Sequence, residues 1–307
     1  MSQLGFEGMP RRLYPCTPSR LRAWLDCPRR YRMTYLERPS PQKGPPWAHN
    51  SLGASVHNAL AGWWRLKVAE RTPAAAGALL ERGWLTDGFA DDAQSAQYLR
   101  SARAMVVDYV AGIDPYDEPV GVERTVATKT DLIAVSGRID RLDDRRAEDR
   151  PADGVPRQRR GPDDERELVV VDYKTGRHRL TADDARSSLA LALYALAAGR
   201  VLRRTCRAVE LHHLPTGQVL RWEHTDESLE RQLRRAEDIA GECRAADESF
   251  RAEPPSASRE DVFPPTPGAW CGWCDFRAHC PEGRQASAPR RPWEGLAAPD
   301  TEIDHVV

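Results

Sequence analysis

The sequence has 307 residues, enough for one large domain or for one domain with a small appendage. Hydrophobic residues make up 40% of it and charged residues 30%, which is typical of a soluble globular protein. The formal net charge of −1 excludes a uniformly basic protein, so binding of nucleic acid would depend on local basic patches. Arg29, Arg30 and Arg32 form one such cluster, which is either a binding patch or ordinary solvated surface.

The N-terminal segment MSQLGFEGMPRR contains no apolar run of signal-peptide length, and no later stretch could cross a bilayer. We therefore expect a cytoplasmic protein without a membrane partner. In that compartment the seven cysteines are expected to be thiols or metal ligands rather than disulfides.

The first part of the chain is predicted to be helical. We expect a flexible N-terminus over residues 1–16, followed by a helix that begins at Thr17-Pro18, with the hydroxyl as N-cap and proline in the first turn. Cys27 lies on this helix or just after it. A second helix begins at about Gly53. Further helical patterns cover Leu79–Trp84 and Gln97–Val110.

The second part of the chain alternates strands with helices. Two β-rich runs, Pro119–Thr128 and Leu132–Asp140, flank the polar turn Lys129-Thr130-Asp131 and predict a hairpin. Residues 141–167 are almost all charged, Pro or Gly, which predicts a flexible charged loop. The later predicted elements are the strand Leu168–Tyr173, the helix Ala182–Leu202, the hairpin strands Cys206–Leu214 and Gln218–Trp222, and the helix Asp226–Phe250.

Together these elements predict one α/β domain over residues 17–285, with a central mixed sheet flanked by helices. The tail over residues 286–307 is predicted to be disordered. The chain contains no P-loop pattern, so we do not expect it to be a motor.

The strand LVVVDYK carries the first candidate site. Asp172 and Lys174 are two residues apart, so they lie on the same face of the strand, about 6.6 Å apart. Asp140 ends an earlier strand, and if the two strands are neighbours, two carboxylates converge beside one ammonium group. Such oxygen ligands suit Mg²⁺ or Mn²⁺, while Lys174 would position the attacking water and offset charge on phosphorus. The alternative is a surface salt bridge between Asp172 and Lys174.

This pattern, Asp140 followed by Asp172-x-Lys174, resembles the core of the PD-(D/E)XK nuclease superfamily. Its surroundings, GRIDRLD and VVDYKTG, are similar to the RecB-like exonuclease branch, which also carries G-x-x-x-H on an upstream helix. Gly53 and His57 match that motif. The resemblance implies a restriction-endonuclease-like core in which His57, Asp140 and Asp172 bind the metal and Lys174 is catalytic.

The branch usually carries Q-x-x-x-Y on the helix that follows the lysine strand. Tyr194 matches the tyrosine, and the resemblance implies that it belongs to the catalytic site. Ala190 stands at the glutamine position, which puts in doubt any contact to substrate or lysine made by that amide. Glu123 in VGVERTV is placed near the site but is not predicted to be a ligand.

Three cysteines, Cys271, Cys274 and Cys280, follow the pattern C-x2-C-x5-C, and Cys27 lies near the other end of the chain. This arrangement resembles the iron–sulfur nucleases of the RecB-like group, including the AddB nuclease domain and CRISPR-associated exonucleases. The resemblance implies a [4Fe–4S] cluster on these four thiolates, joining the N- and C-terminal segments. A four-thiolate zinc site, three free thiols with Cys27 unrelated, or a role for Cys16 remain alternatives.

The sequence thus predicts a Mg²⁺- or Mn²⁺-dependent DNA nuclease, and the branch favours an exonuclease. The expected substrate is single-stranded DNA or DNA ends, in recombinational repair, with a helicase or another repair protein as a further partner. Two alternatives stay open, namely a non-catalytic DNA-binding iron–sulfur scaffold and a CRISPR spacer-processing nuclease.

Overall fold

The computed structural model describes residues 13–146, 166–252 and 258–296. The strands are β1 (Tyr14–Cys16), β2 (Gly121–Lys129), β3 (Ile133–Arg146), β4 (Arg166–Lys174), β5 (Ala208–His213) and β6 (Gln218–Glu223). The α-helices are α1 (Pro18–Asp26), α2 (Pro28–Tyr35), α3 (Ala48–Trp64), α4 (Pro73–Arg82), α5 (Asp92–Ala111), α6 (Ala182–Ser187), α7 (Leu189–Leu202), α8 (Asp226–Arg251), α9 (Arg259–Val262) and α10 (Pro281–Ala286). Short 3-10 helices cover Val68–Glu70, Ala269–Trp273 and Arg277–His279.

The six strands form one mixed sheet in which β3 is the longest member. β2 runs antiparallel along one edge of β3. On the other edge, β1 pairs in parallel with the start of β3, and β4 pairs antiparallel with its end. β5 continues the sheet in parallel to β4, and β6 closes it antiparallel to β5. The predicted mixed sheet is confirmed, and so is the hairpin of β2 and β3.

Helices cover both faces of the sheet because β4 is apolar on both sides. Val169 and Val171 pack in a core with α3, α4 and α5. Leu168 and Val170 alternate with them and pack in a second core with α7. A third core joins α1, α2 and α8 to β1. None of the described helices is long and apolar enough to span a membrane.

The predicted charged loop over residues 141–167 is wrong at both ends, because β3 continues to Arg146 and β4 begins at Arg166. The charged side chains of this stretch pair with one another and with residues distant in the chain. Asp144, for example, receives hydrogen bonds from Arg204 at 2.9 and 2.6 Å. In the folded sheet these charged side chains have partners within the protein, whereas composition alone predicts that they face solvent. Residues 147–165 lie outside the described part of the chain.

Both predicted flexible ends also need correction. Tyr14–Cys16, placed in a flexible N-terminus, forms β1 because its backbone pairs with Ile133–Val135. In the predicted disordered tail, Leu296 is buried and Trp293 packs against the core with α3. The Ala48 amide also donates to the Pro292 carbonyl at 3.1 Å. Residues 1–12 and 297–307 lie outside the described residues.

Several helix predictions differ in their bounds. The pattern Leu79–Trp84 runs past the end of α4 at Arg82, and the pattern Gln97–Val110 covers only part of the longer α5. The helix predicted from about Gly53 begins at Ala48. The helix predicted over Ala182–Leu202 is divided at Ser188, whose hydroxyl accepts a hydrogen bond from the Leu191 amide and caps α7. By contrast, Thr17 caps α1 as predicted, with its hydroxyl accepting from the Arg20 amide at 3.1 Å.

Candidate active site

The strands β3 and β4 separate at the two predicted aspartates. Their last paired residues at this end are Arg141 and Val171, so the same register places Asp140 opposite Asp172. Beyond this point β3 pairs with β1 instead. The Tyr173 amide donates a hydrogen bond to Asp140 Oδ2 at 2.9 Å, which holds this carboxylate across the gap. The expectation that these strands are neighbours is confirmed, and we call the place where they separate the fork.

Glu123 reaches the fork from the other side of β3. Val122 pairs with Arg141 and Arg124 pairs with Ile139, so Glu123 lies opposite Asp140. Its φ of 50° falls in the left-handed region, which non-glycine residues rarely adopt and which is common at functional sites. Directly opposed carboxylates are unfavourable unless a cation lies between them. Sequence reasoning placed Glu123 near the site but not among the ligands.

His57 projects from α3 toward these carboxylates. Its Nε2 donates to the Tyr173 carbonyl at 3.1 Å, and its Nδ1 lies 3.4 Å from Asp140 Oδ2. Burial lowers the pKa of His57, but the contact with Asp140 and the charges of Asp172 and Glu123 outweigh burial and raise the pKa above its ordinary value. One turn earlier on α3, a Cβ at Gly53 would lie 3.4 Å from Thr175 Oγ1, so a small residue fits here.

His57, Glu123 and Asp140 each offer a ligand atom within 4.8 Å of the other two. We call these three residues the acidic triad. The predicted ligand set contained Asp172 in place of Glu123. Nitrogen and carboxylate donors at this separation suit a divalent cation.

Asp172 lies beside the acidic triad, across the fork from Asp140. Lys174 Nζ lies 2.6 Å from Asp172 Oδ2, yet within the described residues this buried oxygen receives no hydrogen bond of good geometry. Burial raises the pKa of Asp172; Lys174 lowers it, and the Asp140 charge raises it further. The two side chains thus form the salt bridge that was the alternative interpretation, with the Asp172 side chain 23% exposed and lying across the fork from Asp140.

Tyr194 approaches the fork from α7. Its ring lies against Gly137 of β3, where an added Cβ would come within 2.3 Å of the tyrosine Cε1. Only glycine therefore allows this approach. Burial raises the pKa of Tyr194, and the charges of Asp172 and Asp140 raise it further. Tyr194 and the acidic triad border the same cavity.

That cavity is an open cleft of about 1630 Å³. Its volume exceeds the roughly 300–1,000 Å³ of most small-molecule pockets and suits part of a polymer. Four basic residues line it, namely Lys174, Arg138, Arg177 and Arg179. Arg138 Nε pairs with Glu123 Oε2 at 2.8 Å. The cleft thus combines an acidic floor with cationic side chains, an arrangement that suits a phosphate backbone bound together with a divalent cation.

The four predicted cysteines border a second cavity of about 610 Å³. Cys27 lies between α1 and α2, while Cys271, Cys274 and Cys280 lie on the short turns that precede α10. The structure therefore brings the remote cysteine to the other three. Cys16 packs instead in the core with α1 and α8, away from this group.

Two N–H groups point at the same sulfur of the four-cysteine cavity. The Gly283 amide donates to Cys280 Sγ at 3.3 Å, and Arg29 Nη1 donates to it at 3.7 Å. The Cys280 sulfur also lies 3.7 Å from Glu282 Oε2. Four cysteine sulfurs around one cavity are a donor set that could hold either a zinc ion or an iron–sulfur cluster.

A family model described as the PD-(D/E)XK nuclease superfamily matches residues 15–152 and 159–281. These segments contain the acidic triad, Asp172, Lys174, Tyr194 and the four cysteines. No curated protein matches the chain.

Proposed function

The chain belongs to the PD-(D/E)XK nuclease superfamily, and we propose on this basis that it is a Mg²⁺- or Mn²⁺-dependent DNA nuclease. The observation that carries the proposal is the fork, where the acidic triad and Asp172 meet beside Lys174. The triad and Lys174 line the large cleft. This combination suits metal-dependent phosphodiester hydrolysis, because it provides ligands for a cation and a separate ammonium group for the phosphate.

The donors fit a divalent cation. Glu123 and Asp140 oppose each other across β2 and β3, and Asp172 presents a buried oxygen without a hydrogen bond of good geometry in the described residues. A cation held by His57, Glu123, Asp140 and Asp172 would relieve this crowding of negative charge. When bound, it would polarise a phosphoryl oxygen and lower the pKa of a ligated water.

The protein's own groups have distinct roles in this proposal. His57 has its Nε2 proton held by the Tyr173 carbonyl, which leaves Nδ1 as the atom facing the ligands. Lys174 sits at the edge of the carboxylates, where its ammonium orients a water and stabilises charge on the phosphate. Arg138 and Arg177 lie along the cleft, where they would contact neighbouring phosphates.

The finer assignment, an exonuclease acting on single-stranded DNA or DNA ends in recombinational repair, rests on the resemblance of GRIDRLD and VVDYKTG to the RecB-like branch. A [4Fe–4S] cluster belongs to the same proposal. The four cysteines around one cavity, and the N–H groups directed at Cys280 Sγ, support it. Such a cluster would fasten the segment between α1 and α2 to the segment before α10.

The decisive experiment is a cleavage assay on anaerobically purified protein, with linear and circular DNA in single- and double-stranded forms. We expect cleavage with Mg²⁺ or Mn²⁺ and none with EDTA, and loss of linear but not circular DNA if the enzyme is an exonuclease. Asp140→Asn and Asp172→Asn should abolish cleavage. Asp108→Asn is the matched control, since Asp108 lines the same cleft but does not belong to the acidic triad. Activity of either fork variant at the wild-type level would refute the proposed site, and DNA binding without cleavage by the wild type would favour a scaffold.

A further inference from the structure

A buried polar network lies on the α3–α5 side of the sheet, under the fork. It consists of Tyr109, Arg141, Tyr173, Glu210 and His212, and we call it the supporting network. Arg141 Nη1 donates to the hydroxyls of Tyr109 and Tyr173, both at 3.2 Å. The Tyr109 hydroxyl contacts His212 Nδ1 at 2.7 Å, and His212 Nε2 donates to Glu210 Oε2 at 2.8 Å. The network therefore links β3, β4 and β5 to α5.

Arg141 anchors this network because its side chain is almost entirely buried. The residue is 5% exposed and packs against the rings of Trp64 and Tyr173, at 5.2 and 5.7 Å from their centroids. Its Nε lies 2.9 Å from Asp143 Oδ1. Burying an unpaired guanidinium is strongly unfavourable, so these contacts confine Arg141 to one position.

The supporting network holds the same two strand segments that carry the aspartates of the fork. Arg141 directly follows Asp140, and Tyr173 directly follows Asp172. Successive side chains of a strand point to opposite faces, so Tyr173 points under the sheet while Asp172 and Lys174 point to the fork. A shift of the Tyr173 ring would therefore move the backbone beneath the candidate ligands.

Both peptide groups of Tyr173 touch the acidic triad directly. Its amide donates to Asp140 Oδ2 at 2.9 Å, and its carbonyl accepts from His57 Nε2 at 3.1 Å. Its hydroxyl accepts from Arg141 Nη1 and from Trp64 Nε1, the latter at 3.4 Å. One residue thus connects two candidate metal ligands to the buried network.

We propose that Tyr173 is a positioning residue of the metal site, with its hydroxyl fixing the ring and its backbone orienting Asp140 and His57. This inference rests on the proposed metal-dependent nuclease. The physical reason is that a ligand set already in place does not have to be ordered when the cation binds. The hydroxyl touches none of the candidate ligands. Its removal should therefore loosen the positions of Asp140 and His57 without changing the atoms that would bind the metal.

The test is Tyr173→Phe, measured by calorimetric titration of Mn²⁺ into the protein without DNA. We expect about 10-fold weaker binding, the low end of the loss seen when partners of metal ligands are removed. In the cleavage assay, the Mn²⁺ concentration that gives half-maximal rate should rise by a similar factor. The rate at saturating Mn²⁺ should stay near the wild-type value, because Lys174 and the carboxylates are unchanged.

The matched control is Tyr31→Phe, which removes another buried hydroxyl from a charged network. Tyr31 Oη accepts from Arg20 and donates to Asp247, and it lies in the core with α1 and α8. This variant should lose thermal stability without a change in Mn²⁺ affinity. Tyr109→Phe removes a hydroxyl one step further from the fork, so a smaller loss of affinity is expected there than for Tyr173→Phe.

Wild-type Mn²⁺ affinity in Tyr173→Phe would overturn the positioning role. So would an equal loss of affinity in Tyr31→Phe, since it would show that general destabilisation weakens the site. Failure of the wild-type protein to bind Mn²⁺ at all would refute the metal site itself and with it the proposed function. The two failures are therefore distinguishable.

Discussion

Glu123→Gln should make the metal-free protein more stable while removing its response to metal. Glu123 and Asp140 offer carboxylate oxygens within 4.8 Å of each other, and their side chains are 15% and 17% exposed. At an effective dielectric constant of about 20, two unit charges at this distance repel by about 3.5 kcal/mol. Replacing one carboxylate by an amide of similar shape removes this repulsion and also the ion pair with Arg138.

The ion pair with Arg138 offsets only a small part of that gain. The Arg138 side chain is 69% exposed, and pairs of this kind contribute about 0–1 kcal/mol. The charge of Glu123 also raises the pKa of His57, so the substitution removes that attraction as well. A net stabilisation of about 2 kcal/mol is then expected, which corresponds to a rise of about 4 °C in melting temperature. Conversely, Mn²⁺ should raise the melting temperature of the wild type but not that of Glu123→Gln, because the variant lacks one ligand.

The measurement is calorimetric or fluorescence melting with EDTA and with Mn²⁺, beside the DNA cleavage assay. Glu118→Gln is the control, since Glu118 pairs with Arg71 outside the acidic triad. It should gain no stability and should keep the Mn²⁺ response. A Glu123→Gln protein that melts earlier in EDTA, yet gains as much from Mn²⁺ as the wild type, would refute both the repulsion and the ligand role.

Three further predictions concern other parts of the molecule. Lys174→Ala and Lys174→Arg should bind Mn²⁺ normally in calorimetry but lose cleavage. The ammonium group is not a metal ligand, and the planar guanidinium of arginine cannot replace its compact charge. A large loss of Mn²⁺ affinity in these variants would contradict a role for Lys174 in cleavage alone. Cys27→Ser should lose iron in anaerobic preparations as fully as Cys271→Ser, with faster proteolysis near α1, whereas a full iron content would exclude Cys27 as a ligand. Burial raises the pKa of Glu210, but His212 and nearby arginines outweigh burial and lower the pKa to about 2. Glu210→Gln should therefore lower the free energy of unfolding by about 3 kcal/mol at neutral pH. In denaturant titrations at several pH values, this cost should disappear as pH falls from about 4.5 through 2, where the wild-type carboxyl is itself protonated; a cost independent of pH would contradict the assignment.

The position of the fork could be predicted from the sequence, because the patterns of two short segments indicate it. LVVVDYK is too apolar for a surface strand and ends in two charges on one face, and Asp140 ends the neighbouring β-rich run. Strand alternation then brings Asp172 and Lys174 to one side, and pairing of β3 with β4 brings Asp140 to them. Hydrophobic periodicity alone could not place His57 at the site, since a lone histidine on an apolar helix is usually a core residue. Its assignment came from the motif resemblance.

The charged stretch after Asp140 could not be read in the same way. Composition predicts solvent exposure for residues 141–146, whereas Arg141 is buried and Arg145 hydrogen-bonds Asp143 and Glu210. These partners lie on β3 and β5, and the second becomes a neighbour only when the sheet has formed. Local composition therefore records the charges of residues 141–146 but not the partners that neutralise them. For this reason the predicted strand ends at Asp140, one residue before Arg141 of the supporting network.

The position of Glu123 directly opposite Asp140 was not predicted, and it depends on the turn between β2 and β3. A hairpin closed around the predicted turn Lys129-Thr130-Asp131 would pair Thr128 with Leu132 and place Glu123 opposite Gly137. Instead, Lys129 pairs with Ala134, and the longer turn between them is closed by hydrogen bonds from the Leu132 and Ile133 amides to the Thr130 hydroxyl. The resulting shift of three positions puts Glu123 opposite Asp140. Whether Glu123 lies opposite Asp140 thus depends on the strand register at this turn, which hydrophobic periodicity alone does not specify.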